Sequence, residues 1–394
     1  MKVNGSVAEV FIAFLKLGLT SFGGPIAHIA YYRQAFIEKR KWITEAQFAQ
    51  LLALCQFLPG PASSQMGFSL GLIRAGWLGG IAAFIAFTLP SACLLIGFAY
   101  WLPYLSDSIS SAAIHGLKLV ALVVVAQAVW LMSQQLCPDW RRRFIALAAV
   151  IILVLFSQAF MQMLVVVAGA VLGLLLCRNQ KRLEDDQLNV RYGEGVAWLL
   201  LTLFFVLLFI LPVVSNQHDL LAVIDAFYRA GALVFGGGHV VLPLLETTVV
   251  EPGWIAADDY LAGYGAAQAV PGPVFSVAAY LGAMLPGDNG GISGAVIALT
   301  AIFLPGFLLI SAMLPLWKKL LHYPAAASAI AGVNAAVVGL LAAALYDPIW
   351  ISVVHHVSDI VIALIGLILL HTFRLSALLI VVWCVLASIS LSLL

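Results

Sequence analysis

Apolar segments close to the length of a membrane-spanning helix follow one another along almost the whole chain. Hydrophobic residues make up 63% of the 394 residues, whereas charged residues make up only 9%. Crossing a bilayer core takes roughly 20 apolar residues in a helix, because the backbone must satisfy its own hydrogen bonds there. The sequence therefore predicts a polytopic α-helical membrane protein that lies in the lipid bilayer. It excludes soluble enzymes, disordered proteins and nucleic-acid-binding proteins.

Charge and cysteine usage identify no further partner. The net charge is only +1, so the overall charge selects neither a nucleic acid nor an acidic protein. The five cysteines have no CxxC or Cys/His spacing, and we expect no disulfide framework, no metal site and no cofactor. The N-terminal apolar segment contains a lysine and is followed by no small-residue cleavage site, which predicts a retained segment and not a signal peptide.

An internal repeat further limits the fold. The segment FLKLGLTSFGGP (14–25) aligns with FYRAGALVFGGG (227–238), and QFLPGP (56–61) aligns with QAVPGP (268–273). The two alignments have nearly the same offset, and a collinear series of this kind is a stronger signal than matches of single glycines. We therefore predict two homologous halves.

The repeat sets the predicted domain boundaries. The first membrane repeat spans residues 1–183, and the second spans residues 215–394. Between them we predict a polar cytoplasmic linker over residues 184–195 and an unpaired apolar helix over residues 196–214. Because this helix adds one crossing, it inverts the topology of the second repeat.

Equivalent loops of the two halves carry opposite charge. Basic residues in short loops stay on the cytoplasmic side of the membrane. The first loop is basic and its counterpart is acidic, with Arg33, Lys39, Arg40 and Lys41 set against Glu246, Glu251, Asp258 and Asp259. Three further pairs of loops show the same reversal of charge. We therefore predict an inverted repeat, in which equivalent loops lie on opposite faces of the bilayer.

Two helix-breaking motifs occur in equivalent places of the two halves: Gly23-Gly24-Pro25 with Gly236-Gly237-Gly238, and Pro59-Gly60-Pro61 with Pro271-Gly272-Pro273. Broken helices survive in a membrane only where protein or a water-filled cavity satisfies the freed backbone groups. We expect interrupted or re-entrant helices at these motifs, whose N-terminal N–H groups can hold an anion. The alternative is that the glycines allow close helix packing and the prolines kink ordinary spans.

Basic residues inside apolar segments indicate the sign of the ligand. Lys16 and Arg229 occupy equivalent positions before the glycine breaks. Charge within a membrane is costly, so a cation retained there indicates a function. Positive charge favours a negatively charged passenger. Asp225 lies one helical turn before Arg229 and could neutralise it, whereas Lys118 could simply extend towards the interface. Acidic residues are otherwise expected only in loops and near the ends of segments.

Polar side chains near the breaks complete the predicted anion site: Thr20, Ser21, Gln56, Ser63, Ser64, Gln268 and Ser276. Each of them could instead serve helix packing. His28 and His239 flank the breaks at non-equivalent positions, which disfavours a proton relay through them. Gly173 lies in an uninterrupted apolar run, so leucine there should harm function less than leucine at Gly24 or Gly237.

The motifs resemble those of the chromate transporter family in its long two-domain form. The resemblance rests on FLKLGLTSFGGPIAH (14–28), WITEAQFAQLLALCQFLPGP (42–61) and the second-half copies, and it covers the whole chain. It implies a protein of the cell's inner membrane that exports chromate and confers chromate resistance, with sulfate as a close analogue. The family's motif positions fall on Phe22, Gly23, Gly24, Pro25, Gln56, Pro59, Gly60, Pro61, Phe235, Gly236, Gly237, Gln268, Pro271, Gly272 and Pro273. Gly238 departs from the pattern, since the first half has Pro25 there.

The sequence contains no phosphate-binding GxxxxGK[ST] motif, so ATP-driven transport is not expected. A dianion leaving a cell that is negative inside needs no other energy source, and we predict export driven by the membrane potential. An anion channel and a transporter for another oxyanion such as sulfate remain alternatives. A membrane-embedded enzyme fits worst, because the spans hold no His/Asp/Glu constellation. The sequence leaves a homodimer open.

Overall fold

The computed structural model describes residues 5–22, 24–104, 108–156, 159–177, 190, 192–215, 219–235, 240–320 and 324–393. Within these ranges the regular structure is entirely helical, and no strand is present. The predicted all-α fold class is thereby confirmed.

The described residues of the first half form seven α-helices: α1 (Val7–Thr20), α2 (Gly24–Tyr32), α3 (Glu45–Phe57), α4 (Ala62–Trp101), α5 (Ser108–Leu136), α6 (Trp140–Leu155) and α7 (Ala159–Leu176). A π-helical segment, Arg33–Lys39, extends α2. Although α4 is continuous in hydrogen bonding, Ala75 and Gly76 have non-helical dihedral angles. The helix therefore consists of two parts.

The second half follows α8 (Glu194–Val214), and its described residues form nine α-helices: α9 (Asp219–Ala232), α10 (Val241–Val249), α11 (Ala257–Ala269), α12 (Val277–Met284), α13 (Gly291–Leu320), α14 (Pro324–Ala344), α15 (Ile351–Val353), α16 (Val357–His371) and α17 (Ala377–Ser392). Short 3₁₀ segments, Val274–Ser276 and Gly287–Asn289, precede α12 and α13. The kink of α4 thus corresponds to the full break between α12 and α13.

Local sequence signals account for the start and end of the helices around the breaks. Ser6 caps α1 by accepting the backbone N–H of Glu9. Thr44 and Gln47 form a reciprocal capping box at the start of α3. That helix ends at Phe57, because Leu58 precedes a proline and takes an extended conformation.

Five of the described helical segments are apolar and long enough to cross a membrane: Ala62–Trp101, Ser111–Leu136, Glu194–Val214, Gly291–Trp317 and Ala327–Val353. The unpaired helix α8 buries only Ala197, Phe204 and Leu211, so most of its apolar surface is left for lipid. The protein is a multi-pass membrane protein. The helices on either side of each break are shorter than a full span, and whether they form re-entrant hairpins stays a prediction.

The chain divides into two compact units that do not follow the two halves. The first unit comprises residues 1–99, 182–238 and 270–322. The second unit comprises residues 100–181, 239–269 and 323–394. Each unit therefore contains helices from both repeats. The equivalent pairs α2–α3 and α10–α11 belong to different units, so the repeats are homologous in sequence without packing identically.

Aromatic rings fill the core of the first unit around α1. Phe14 stacks on Phe36 with ring centroids 4.9 Å apart and meets Phe87 of α4 edge-on at 6.4 Å. Tyr32 of α2 lies 5.5 Å from the same Phe87 ring. All four rings are buried, which fixes α1, α2 and α4 against one another. This core holds the break of the first half in place.

Candidate functional site

Two backbone hydrogen bonds join the breaks of one half to those of the other within the first unit. The N–H of Gly60 donates to the carbonyl of Val234 at 2.6 Å, and the N–H of Gly272 donates to the carbonyl of Ser21 at 2.9 Å. Gly60 and Gly272 are equivalent in the repeat, and so are Ser21 and Val234. The same contact is therefore made twice: the first half donates to the second in one bond, and the second half donates to the first in the other. Each Pro-Gly-Pro motif is anchored to the end of the helix that leads into the other half's glycine break.

Glycine is required at the centre of both Pro-Gly-Pro motifs. Gly60 and Gly272 have φ angles of 119° and 104°, which L side chains rarely adopt. A Cβ atom on Gly60 would lie 2.8 Å from Nε2 of Gln65, and one on Gly272 would lie 2.9 Å from Oγ of Ser91. Glycine is therefore required at both positions, by the backbone φ angle and by the close neighbouring side chains.

Helices begin at the breaks, as an anion site requires. In the first half α2 starts at Gly24 and α4 starts at Ala62, directly after Pro61. In the second half the 3₁₀ segment Val274–Ser276 leads from Pro273 into α12. The first N–H groups of a helix have no acceptor within the helix, and the helix dipole places positive charge there. Such ends can bind an oxyanion without a formally charged side chain.

Buried hydroxyl groups and an imidazole lie beside these helix ends. Ser21, His28, Ser63 and Ser64 are all at least nine-tenths buried. Nδ1 of His28 lies 3.5 Å from Oγ of Ser63. Oγ of Ser21, Oγ of Ser64 and Nε2 of His28 have no hydrogen-bond partner among the described residues. Buried polar atoms normally have partners, so this cluster has unused capacity to bind a ligand.

Gln65 supports the first break and was missed by the sequence reasoning, which selected Gln56. Nε2 of Gln65 donates to the carbonyl of Pro59 at 2.8 Å and to the carbonyl of Gly306 in α13 at 3.2 Å. Its side chain is fully buried. The available signal was its position one turn into the helix after Pro61, from which an amide can reach back to the break.

Two predicted ligands lie apart from the buried cluster. Lys16 is exposed, on the face of α1 that also carries the exposed Ile12 and Leu19. Gln56 is exposed on α3. Gln268, its counterpart in the repeat, is buried in the second unit near Tyr264. The two glutamines therefore do not occupy equivalent surroundings.

The predicted neutralisation of Arg229 is present in the structure. Its guanidinium lies 2.6 Å from a carboxylate oxygen of Asp225, whose side chain is 4% exposed. Asp225 stands in the middle of α9, so the expectation that acids lie only in loops and near segment ends was wrong at this position. Lys118, which was expected to extend to the interface, pairs with Asp258 at 2.5 Å within the second unit.

The remaining predicted residues are distributed as follows. Phe22 and Phe235 are half-buried beside the two glycine breaks, and Pro25 lies in the first turn of α2. Ser276 is buried, but its hydroxyl donates to the carbonyl of Pro273 at 2.6 Å. Gly23 and the segment Gly236–Gly238 lie outside the described residues. Among the residues that are described, no group of three His, Cys, Asp or Glu side chains could hold a metal ion.

Comparison with known proteins identifies one family along the chain. A family described as "Chromate transporter" matches residues 8–174 and again residues 221–389. The two matched stretches coincide with the two halves, and together they cover most of the chain.

Individual relatives match over similar lengths. A probable chromate transport protein of Synechococcus elongatus is 29% identical over 86% of this chain and 84% of its own length. Chromate transport proteins of Pseudomonas aeruginosa and Cupriavidus metallidurans are each 28% identical, over 87% and 86% of this chain and 81% and 82% of their own lengths. No solved structure matches the chain.

Proposed function

Since the chain belongs to the chromate transporter family, we propose that it exports chromate from the cytoplasm across the inner membrane and so confers chromate resistance. Two chromate transport proteins with that printed name match more than four-fifths of this chain, which supports chromate as the substrate. Sulfate has the same tetrahedral shape and the same charge as chromate, so it is the second oxyanion to test.

The observation that carries the proposal is the pair of reciprocal hydrogen bonds between the breaks. These bonds hold interrupted helices from both repeats in one compact unit. An oxyanion of two negative charges offers only acceptor oxygens, which match helix N–H groups and the unpartnered hydroxyls of Ser21 and Ser64. The substrate site is accordingly proposed at the breaks, with the Gly-Gly and Pro-Gly-Pro motifs as its backbone.

The proposed arrangement uses the predicted domains. The repeats at 1–183 and 215–394 are proposed to face opposite ways, with the linker 184–195 in the cytoplasm and the helix 196–214 making the additional crossing. Lys16 is proposed to attract the anion from the exposed face of α1 towards the break. Arg229 contributes less charge, because Asp225 already pairs with it.

The membrane potential is the proposed driving force. Moving one charge through 100 mV is worth about 2.3 kcal/mol, so a dianion gains about 4.6 kcal/mol. That free energy sustains a concentration ratio above about 10³. No ATP-binding motif is needed for export against a gradient of this size.

Uptake of labelled chromate by inverted membrane vesicles tests the proposal. The vesicle lumen corresponds to the outside of the cell, so an imposed lumen-positive potential should drive saturable chromate uptake. Sulfate should inhibit this uptake competitively. Vesicles without the protein provide the background. Uptake equal to the background at every potential contradicts the proposal, and unitary currents in bilayer recordings would show a channel instead.

A further inference from the structure

His28 is a buried side chain at the break of the first half, and sequence comparison of the halves gave it no role. It lies on α2, one turn after the helix begins at Gly24, and its side chain is fully buried. The imidazole is held on two sides. Its ring meets Phe87 edge-on with centroids 5.2 Å apart, and Nδ1 lies 3.5 Å from Oγ of Ser63.

The second ring nitrogen is the informative one. Nε2 of His28 is buried and has no hydrogen-bond partner among the residues that the structure describes. A neutral imidazole carries a proton on one nitrogen and accepts on the other. If the Ser63 hydroxyl donates to Nδ1, then Nε2 carries the proton and becomes a donor. A buried donor without an acceptor is costly, so a ligand atom that accepts from it would bind favourably.

The surroundings of the ring suit an anion. The backbone atom of Ser21 that faces the imidazole is its carbonyl oxygen, an acceptor, so the group of Ser21 that can serve an anion is its hydroxyl, whose Oγ is buried without a hydrogen-bond partner among the described residues. The N–H of Gly272 donates to the carbonyl of the same Ser21, which brings the second Pro-Gly-Pro motif to this place. Ser63 and Ser64 lie in the first turn of α4, where the helix dipole is positive. The cluster thus combines hydroxyls, a helix end and one imidazole.

We infer that His28 contacts the transported oxyanion, with Nε2–H donating a hydrogen bond to one of its oxygens and Ser63 holding the ring in that tautomer. This inference rests on the proposed function, since the ligand class is the tetrahedral oxyanion carried through the same breaks. The second half has Val241 at the equivalent position, and Val241 is buried in α10. At this repeat position the imidazole is therefore present in the first half and absent from the second.

Three substitutions separate the two ring nitrogens. Glutamine places an amide N–H near the position of Nε2, asparagine places one near Nδ1, and leucine retains only apolar volume. We expect His28→Gln to keep a half-saturation concentration within about threefold of the wild type. His28→Asn and His28→Leu should raise it roughly 10- to 100-fold, the loss typical of one hydrogen bond to a charged group. Ser63→Ala should give a smaller change in the same direction.

The experiment uses the full-length protein in proteoliposomes with labelled chromate, and thermal stabilisation by chromate, sulfate and molybdate in detergent as a second readout. His371→Gln, at an exposed position, is the matched control. Stabilisation by oxyanions that is lost in His28→Asn and kept in His28→Gln supports the inference, even if a variant inserts poorly. The inference is overturned if all three His28 variants bind chromate with the affinity of the wild type, or if all three lose affinity to the same extent. Neither result contradicts chromate transport itself.

A wrong assignment of chromate as the substrate can be distinguished from a wrong assignment of His28. If the wild type moves no chromate but sulfate or molybdate stabilises it and does not stabilise His28→Asn, the contact by His28 holds and chromate export fails. If the wild type neither binds nor transports any of the three oxyanions, the contact by His28 and the proposed function are both wrong.

Discussion

Lys16 and Arg229 show how one repeat position can acquire two different roles. The two side chains are equivalent in sequence, yet Arg229 is paired with the buried Asp225, whereas Lys16 is exposed on α1. The sequence predicted both cations and also the local ion pair, because a spacing of four residues places the two groups on one helical face. It could not predict that Lys16 would lie outside the buried serine cluster, because helical periodicity does not reveal what packs against each face.

Lys16→Ala should weaken chromate transport without affecting the fold. Among the described residues Lys16 has no salt-bridge partner, and it lies one turn before α1 ends at the break of the first half, so its loss should raise the half-saturation concentration about tenfold or more. The measurement is chromate flux in proteoliposomes, with the melting temperature as a check on folding. Lys39→Ala, at an exposed position at the end of the π-helical segment, is the control. Flux equal to the wild type in correctly inserted Lys16→Ala removes this residue from the proposed site.

Arg229→Ala should lower the stability of the fold, whereas Lys16→Ala should leave it unchanged. Removing the guanidinium leaves the carboxylate of Asp225 buried without its partner, which should cost about 2 kcal/mol or more. Adding Asp225→Asn to Arg229→Ala should recover most of that loss, because the uncompensated charge is removed. Thermal unfolding of the single and double variants gives the result. A double variant no more stable than Arg229→Ala would show that the ion pair is not what stabilises α9.

Among the structural elements, the breaks were predictable and their connections were not. Repeated glycine and proline motifs interrupt helices for reasons that are local to the backbone, and the structure has helices ending or starting at each described motif. The reciprocal bonds of Gly60 and Gly272 connect residues more than 170 positions apart, and no local pattern encodes such a contact. For the same reason the tertiary roles of His28 and Gln65 were not evident from the sequence.

Gly173 was the wrong choice as a neutral position. A Cβ on Gly173 would collide with the backbone carbonyl of Ser328 in α14, because α7 and α14 pack closely there. Leucine at Gly173 would therefore disrupt helix packing. Gly97 is the appropriate control, since nothing lies within 4 Å of the position its Cβ would occupy. Gly237 lies outside the described residues, so Gly60 and Gly272 are the better test of the breaks.

Gly60→Ala and Gly272→Ala should each reduce chromate flux about tenfold or more, whereas Gly97→Ala should not. Alanine at either break is strained by about 1–3 kcal/mol at the observed φ angle and also meets a close neighbour. Because the two positions make the same contact, the two losses should be similar in size. Flux measured per correctly inserted protein gives the comparison. Equal tolerance at all three glycines would support the alternative that these motifs serve only ordinary packing.

At the scale of the whole molecule, the sequence predicted the repeat but not the way in which its helices are distributed. The family match at residues 8–174 and 221–389 agrees with two homologous halves. The compact units nevertheless combine helices from both halves and assign α2–α3 and α10–α11 to different units. Sequence similarity identifies equivalent helices, whereas side-chain complementarity decides their neighbours. One such difference is the repeat position that holds His28 in the first half and Val241 in the second.

The central claim is that the two repeats cross the membrane in opposite directions, so that equivalent breaks face the substrate from both sides. Single cysteines at Lys39 and Glu251 test it most directly, because both are exposed and occupy equivalent positions of the repeat. The background is Cys93→Ser, since Cys93 is the exposed native cysteine among the five. With a membrane-impermeant thiol reagent, Lys39→Cys should be labelled only from the cytoplasmic side and Glu251→Cys only from the opposite side. Labelling of both cysteines from the same side would contradict the inverted repeat and the oxyanion site built on it.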